Sequence, residues 1–156
     1  MALSRSTPKP NPSFRFYWHA VRLAIALGSV AILIRCLGVR RAVALVWNLA
    51  DLFPSHTPAA PDPLRMARAS AERVSAVAGR MPFPPRCLTS SLLLSGALRR
   101  HGVPGELCIG VSDAGKFSAH AWVELGSVVL NDTADVTSRF HPIWRAETSS
   151  TGLWPR

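Results

Sequence analysis

From His19 to Leu37 apolar residues recur at helical spacing: Val21, Leu23, Ala24, Leu27, Val30, Ala31 and Ile34 form one wide stripe, which predicts a helix. Gly38 is placed to stop it. The pattern resumes through Val43, Val46, Trp47 and Ala50, predicting a second helix from about Val39 to Leu52, ahead of Pro54. Together they read as an apolar helical hairpin edged by Arg40-Arg41. The Ser-, Pro- and Lys/Arg-rich start reads as a disordered tail, and SHTPAAPDP as a Pro-rich linker. The resulting division is tail 1–18, hairpin 19–53, linker 54–61 and a core at 62–156.

Asp62-Pro63 opens a third helix, with Asp as N-cap and Pro in the first turn. Ala67, Ala71, Val74 and Ala78 give it a small-residue face, and Gly79 closes it. Met81-Pro-Phe-Pro-Pro85 is extended and forces a new helix to start near Cys87. That helix turns Leu88, Leu92, Leu93 and Ala97 inward, carries Arg99-Arg100 at its C-terminal end and stops at Gly102. The period then changes to two. Strands are expected at Glu106–Val111 and His120–Leu125, separated by a polar loop from Ser112 to Ser118. A third is expected at Val128–Asp132, after a Gly126-Ser127 turn. Past Asp135 the pattern fades, leaving Trp144 and Trp154 as packing anchors.

Charge adds a basic bias: net +9, from sixteen Arg and two Lys against nine acids. It favours acidic partners or an anionic membrane. The arginines are scattered and no nucleic-acid motif accompanies them, so nucleic acid is not an expected partner. Cys36, Cys87 and Cys108 cannot all pair with one another, and their spacings fit no zinc site. A reducing compartment follows, and the expected location is cytoplasmic. No A-x-A cleavage site directly follows the apolar run Leu23–Ile34, which is shorter than a bilayer span. Contact of residues 19–53 with a membrane surface remains open to it.

Three residues carry candidate chemistry. Cys87 stands where a helix begins, and the unpaired N–H groups and dipole there suit an anionic sulfur and an oxyanion. His120 lies within a strand, and Asp132 follows it. A thiol, an imidazole that takes its proton and a carboxylate that orients the imidazole are the parts of a cysteine acyl-transfer enzyme. Cys36 and Cys108 sit among apolar neighbours and read as structural. His19, His56, His101 and His141 fall in the hairpin, the linker, a helix end and the weak tail. Register supplies a condition. A three-residue turn with a bulge, or a bulge elsewhere in the pair, brings His120 to Asp132, whereas a two-residue turn pairs it with Thr133 and directs attention to Asn131 and Asp135.

The order C-L-x-x-S on a helix, then R-R-H-G-V-P-G-E-L-x-I-G-V, then S-A-H-A-W-V-E and V-L-N-D resembles the bacterial transglutaminase-like proteins of lasso-peptide biosynthesis. The likeness runs from about Asp62 to Asp132, and more weakly over the hairpin. It departs from the family pattern at Ser90, where many relatives carry a basic residue, and at Gly126-Ser127, where Asp-Gly is common. The resemblance implies an α+β papain/transglutaminase-like core: a catalytic Cys at a helix N-terminus packed on an antiparallel sheet. It implies a cysteine endopeptidase that removes the leader from a lasso-peptide precursor. Cys87 is then the nucleophile, His120 the general base and Asp132 its orienting residue. No cofactor or metal is implied. The expected partners are the precursor peptide, a separately encoded leader-recognition protein and an ATP-dependent, asparagine-synthetase-like cyclase that closes the freed amine into a macrolactam. The other readings are a transglutaminase-like thiol acyltransferase and a catalytically silent binding subunit of a peptide-maturation complex.

Overall fold

The computed structural model describes residues 12–55, 62–112 and 117–148. The tail up to residue 11, most of the linker with His56, four residues of the expected 112–118 loop, and Trp154 lie outside the described residues. The order is α1 (Pro12–Leu52), α2 (Pro63–Ala78), α3 (Cys87–Arg100), β1 (Glu106–Ser112), β2 (Ser118–Leu125), β3 (Val128–Val129), α4 (Val136–Arg139) and β4 (His141–Glu147).

Helix α1 begins earlier than the periodicity suggests, with Pro12 in its first position, where a missing N–H costs nothing. It is two helical arms meeting at Gly38, whose φ of 77° and ψ of 167° leave the helical region. Val30 from the first arm and Ala42, Val43 and Trp47 from the second enter one core with Ala67 and Ala71 of α2 and Leu92, Leu94 and Leu98 of α3. Helices α1 and α3 pack tightly at Gly96, where a Cβ would stand 2.8 Å from Val46 Cγ1. Asp62 caps α2 by accepting from the Arg65 N–H at 2.9 Å.

Arg99 and Arg100, read from sequence as complements to the α3 dipole, also fasten α3 to its neighbours. Arg99 makes a two-pronged ion pair with Asp51 (both 2.7 Å), lies over the Trp47 ring and donates to the Thr148 carbonyl at 2.7 Å. Arg100 Nε donates to the Phe53 carbonyl at 2.8 Å. Buried Thr148 in turn locks the Val103–Gly105 turn, accepting from the Gly105 N–H and donating to the Val103 carbonyl, both at 2.8 Å.

The four strands are antiparallel in the order β3-β2-β1-β4. Strand β4 corrects the sequence reading, which left this segment as tail: it pairs along β1, with a register shift at Ile109/Gly110. Its apolar signal is weak because it is an edge strand held largely by backbone, with Pro142 and an exposed Ile143 in its first half. Gly110 admits this packing, since a Cβ there would come within 2.9 Å of both the His141 carbonyl and the Trp122 ring.

Strand alternation sorts the two faces. Leu107 and Val123 join the α3 leucines in the main core. The other face carries Cys108, Trp122 and Val136 with Val129 and Phe140, and a charged cluster over them. Glu124, 6% exposed, accepts from Trp122 Nε1 at 2.6 Å and from Arg145 Nη1 at 2.9 Å, while Glu106 accepts from the same Nη1 at 2.6 Å. Glu124→Ala strands the indole N–H and half of the Arg145 pairing. The expected loss is about 1–3 kcal/mol of unfolding free energy, with Glu124→Gln losing less, read from urea midpoints at constant m.

Candidate active site

The Gly126-Ser127 turn has two residues: Leu125 faces Val128 and Glu124 faces Val129, with Gly126 at φ 59° in the first central position. A II′ hairpin turn needs that sign there. Continued, this register would set His120 against Thr133: of the two turns the sequence allows, the two-residue one is present. Strand β3 instead ends after two residues and the chain leaves the ladder. The Leu130 N–H still donates to the Val123 carbonyl at 2.9 Å, but the reciprocal bond is taken by a side chain: the Val123 N–H donates to Asn131 Oδ1 at 2.8 Å. The Asn131 Nδ2 group donates to Ser91 Oγ at 2.8 Å, and Ser91 donates to the Ala121 carbonyl at 2.8 Å. One carboxamide thus ends the hairpin and ties it to α3.

Freed from the ladder, Asp132 swings onto His120, and its Oδ2 pairs with the imidazole Nε2. Its other oxygen accepts from the Thr133 N–H at 2.6 Å, from Thr133 Oγ1 at 3.1 Å and from Arg139 Nη2 at 2.9 Å. Burial acts to raise the Asp132 pKa, but the Thr133 N–H and the His120 ring outweigh it and hold the carboxyl below its usual range. The imidazole is also fixed by its faces. Phe140 stacks at 4.9 Å between centroids and 27°, and Trp122 lies at 6.3 Å and 17°. With Nε2 given to a carboxylate, Nδ1 is the nitrogen left to accept a proton.

Cys87 is the first residue of α3, half-buried, preceded by an extended Arg86 (φ −65°, ψ 155°). Its N–H and that of Leu88 belong to the first-turn donors without a partner inside the helix. Ser91, which reaches the residue after His120, stands one turn further on, about 5–6 Å along the axis. The start of α3 is therefore held near the His120 segment of β2. Among the described residues no hydrogen bond joins the Cys87 thiol to the imidazole; His120 and Asp132 are the pair in contact.

The remaining candidates are placed elsewhere. Asp135 pairs with Arg139 at 3.2 Å and does not touch His120, while Asn131 acts on the backbone. Cys36, read from its apolar neighbours as a buried structural cysteine, is instead exposed on α1. Cys108 is buried as expected, but in a polar setting: Arg145 Nη1 lies 3.5 Å from Sγ and Glu106 Oε2 3.8 Å. Burial, reinforced by Glu124, pushes its thiol up to about 12, against the pull of Arg145. Glu106, Cys108 and Glu124 bring three possible metal-ligand atoms within 4.8 Å of one another, but Arg145 reaches all three. A guanidinium holds the place a metal would take.

Sequence reasoning gave no role to Arg139, Phe140, Thr133 or Ser91. Only Ser91, one turn after the cysteine, had a usable signal in its spacing. A model of the transglutaminase-like superfamily matches residues 30–145. No match was found among curated proteins or among solved structures.

Two outcomes follow. Iodoacetamide at mild alkaline pH should label Cys36 in the native protein and spare Cys108 until denaturant is added, read by peptide mass spectrometry. For Asp132, the depressed pKa gives a stability term that is present above the unfolded value of about 4 and lost as pH falls below it. Asp132→Asn should therefore lower the urea midpoint at neutral pH, and the gap to wild type should narrow steadily below about pH 4.

Proposed function

Because the chain belongs to the transglutaminase-like superfamily, a family of thiol-dependent peptidases and acyltransferases, we propose that it is a cysteine endopeptidase. Its substrate in this reading is a lasso-peptide precursor, from which it removes the leader. The observation that carries the proposal is the His120–Asp132 pair, with Nε2 committed and the ring stacked with Phe140 and Trp122. The narrower substrate reading rests on the H-G-V-P-G-E-L and S-A-H-A-W-V-E segments.

In this mechanism the substrate complex brings Cys87 Sγ within reach of His120 Nδ1, which takes the thiol proton. The sulfur attacks the scissile carbonyl. The developing oxyanion accepts from the Cys87 N–H at the positive end of α3. Collapse breaks the C–N bond, and the proton on Nδ1 goes to the departing amine, the N-terminus of the core peptide. The leader remains as a thioester on Cys87. Water then gives its proton to Nδ1 and attacks that thioester, releasing the leader carboxylate and restoring the thiol. Asp132 keeps the proton on Nε2 throughout, so Nδ1 is the basic nitrogen at the start of acylation and again at the start of deacylation.

The partners in this reading are a separate leader-recognition protein and an ATP-dependent cyclase that consumes the freed amine. Incubation of wild type with a lasso-type precursor and its recognition protein should yield free leader by mass spectrometry. Cys87→Ala should abolish it, and His120→Ala should lower the rate by about 10²–10⁴. An amine cross-link in place of cleavage would assign the thioester to an acyltransferase. Cleavage that persists in Cys87→Ala would overturn the nucleophile, and no reaction with the recognition protein present would favour a silent subunit.

A further inference from the structure

The outward face of α1 is apolar, basic and not used by the site. Among the described residues twelve large apolar side chains are exposed, and nine of them lie between Tyr17 and Phe53. Ile25 at 63% and Ile32 at 64% exposure stand two turns apart on one side of the first arm. The second arm adds Leu45, Leu49 and Leu52. Concentration on one element distinguishes this from the scattered apolar exposure ordinary in soluble proteins.

The charge on α1 is lopsided. It carries five arginines and a single acid, Asp51, which Arg99 already pairs. Arg22 and Arg35 bracket Ile25 and Ile32 and are themselves exposed. An apolar stripe bounded by arginines, with Tyr17 and Trp18 at one end, is complementary to an anionic lipid interface: rings at the headgroup level, guanidinium groups on phosphates, aliphatic side chains below them.

The helix Tyr17–Leu52 is long and apolar enough to cross a bilayer by length and composition. Packing decides against crossing. Leu27 is fully buried, Val30 is 5% exposed and belongs to the core shared with α2 and α3, and the backbone breaks at Gly38. Pulling the first arm into a membrane would take Val30, with the partly buried Leu33 and Ile34, out of that core, whereas laying its outer face on the surface leaves the core intact. We propose that the outward face of α1 docks the folded protein onto an anionic lipid bilayer, lying in the interface with Ile25 and Ile32 inserted. This stands apart from the peptidase reading, and its test uses no substrate.

The experiment is flotation of the full chain with vesicles of phosphatidylcholine, with and without phosphatidylglycerol. Wild type should float with the anionic vesicles and stay down with phosphatidylcholine alone, and high salt should reduce the bound fraction. Ile25→Glu/Ile32→Glu and, separately, Arg22→Glu/Arg35→Glu should each reduce binding by about tenfold or more while keeping the wild-type circular dichroism and urea midpoint. Four results would overturn the proposal. One is wild type failing to float; another is equal flotation with uncharged vesicles; a third is flotation unchanged in both variants. The fourth is a non-floating dimer in sedimentation velocity that Ile25→Glu/Ile32→Glu makes monomeric, which gives the face to a second copy of this chain.

Discussion

The carboxamide of Asn131 sets where the second hairpin stops, and the site depends on that stop. By occupying the Val123 N–H it does the work of the Leu130 carbonyl, so the ladder ends without leaving a strand donor unpaired. By donating to Ser91, which donates to Ala121, it fixes the first turns of α3 against β2. The next residue is then free of strand geometry. In a regular ladder of this register a carboxylate at 132 would point away from His120; one residue outside it, the carboxylate meets the imidazole. A side chain that mimics backbone converts a register that forbids the contact into one that makes it.

Around the imidazole, polar and apolar restraints divide the task. Asp132 fixes one nitrogen and hence the tautomer, Phe140 and Trp122 fix the plane, and Arg139 with Thr133 fix the carboxylate. The opposite choice is made on the neighbouring strand, β1. There the Cys108 thiol sits between two glutamates, disfavoured as an anion, and the excess negative charge is met by Arg145. The two cysteines nearest the sheet are therefore in contrasting surroundings: one at the open start of a helix, the other walled in by acids.

What could be read from the sequence was local. The Asp62 cap, the start of α3 at Cys87, strands β1 and β2 and the two-residue turn option all follow from signals spanning a few residues, and the structure contains them. The apolar N-terminal helix was legible from its period, and the α+β class from the family resemblance. Strand β4 was not, because its partner is β1 and its own apolar alternation is weak. Nor was Arg139, since its reach to Asp132 depends on α4, a helix of four residues whose formation hinges on how the chain leaves β3. His120 and Asp132 were named together, but the reason they touch is different from the one offered by register: no rung joins them.

Arg99 has a wider consequence. Its guanidinium holds Asp51 near the end of α1 and the Thr148 carbonyl just past β4, with the Trp47 ring beneath it. Residues almost a hundred positions apart are thereby clasped by one side chain, and the described fold is closed on itself like a ring with a buckle. In such a ring the two extremities are not independent places to trim or graft: shortening the chain just beyond β4 loosens the seat of the N-terminal helix, and a change at that helix is felt where the sheet ends.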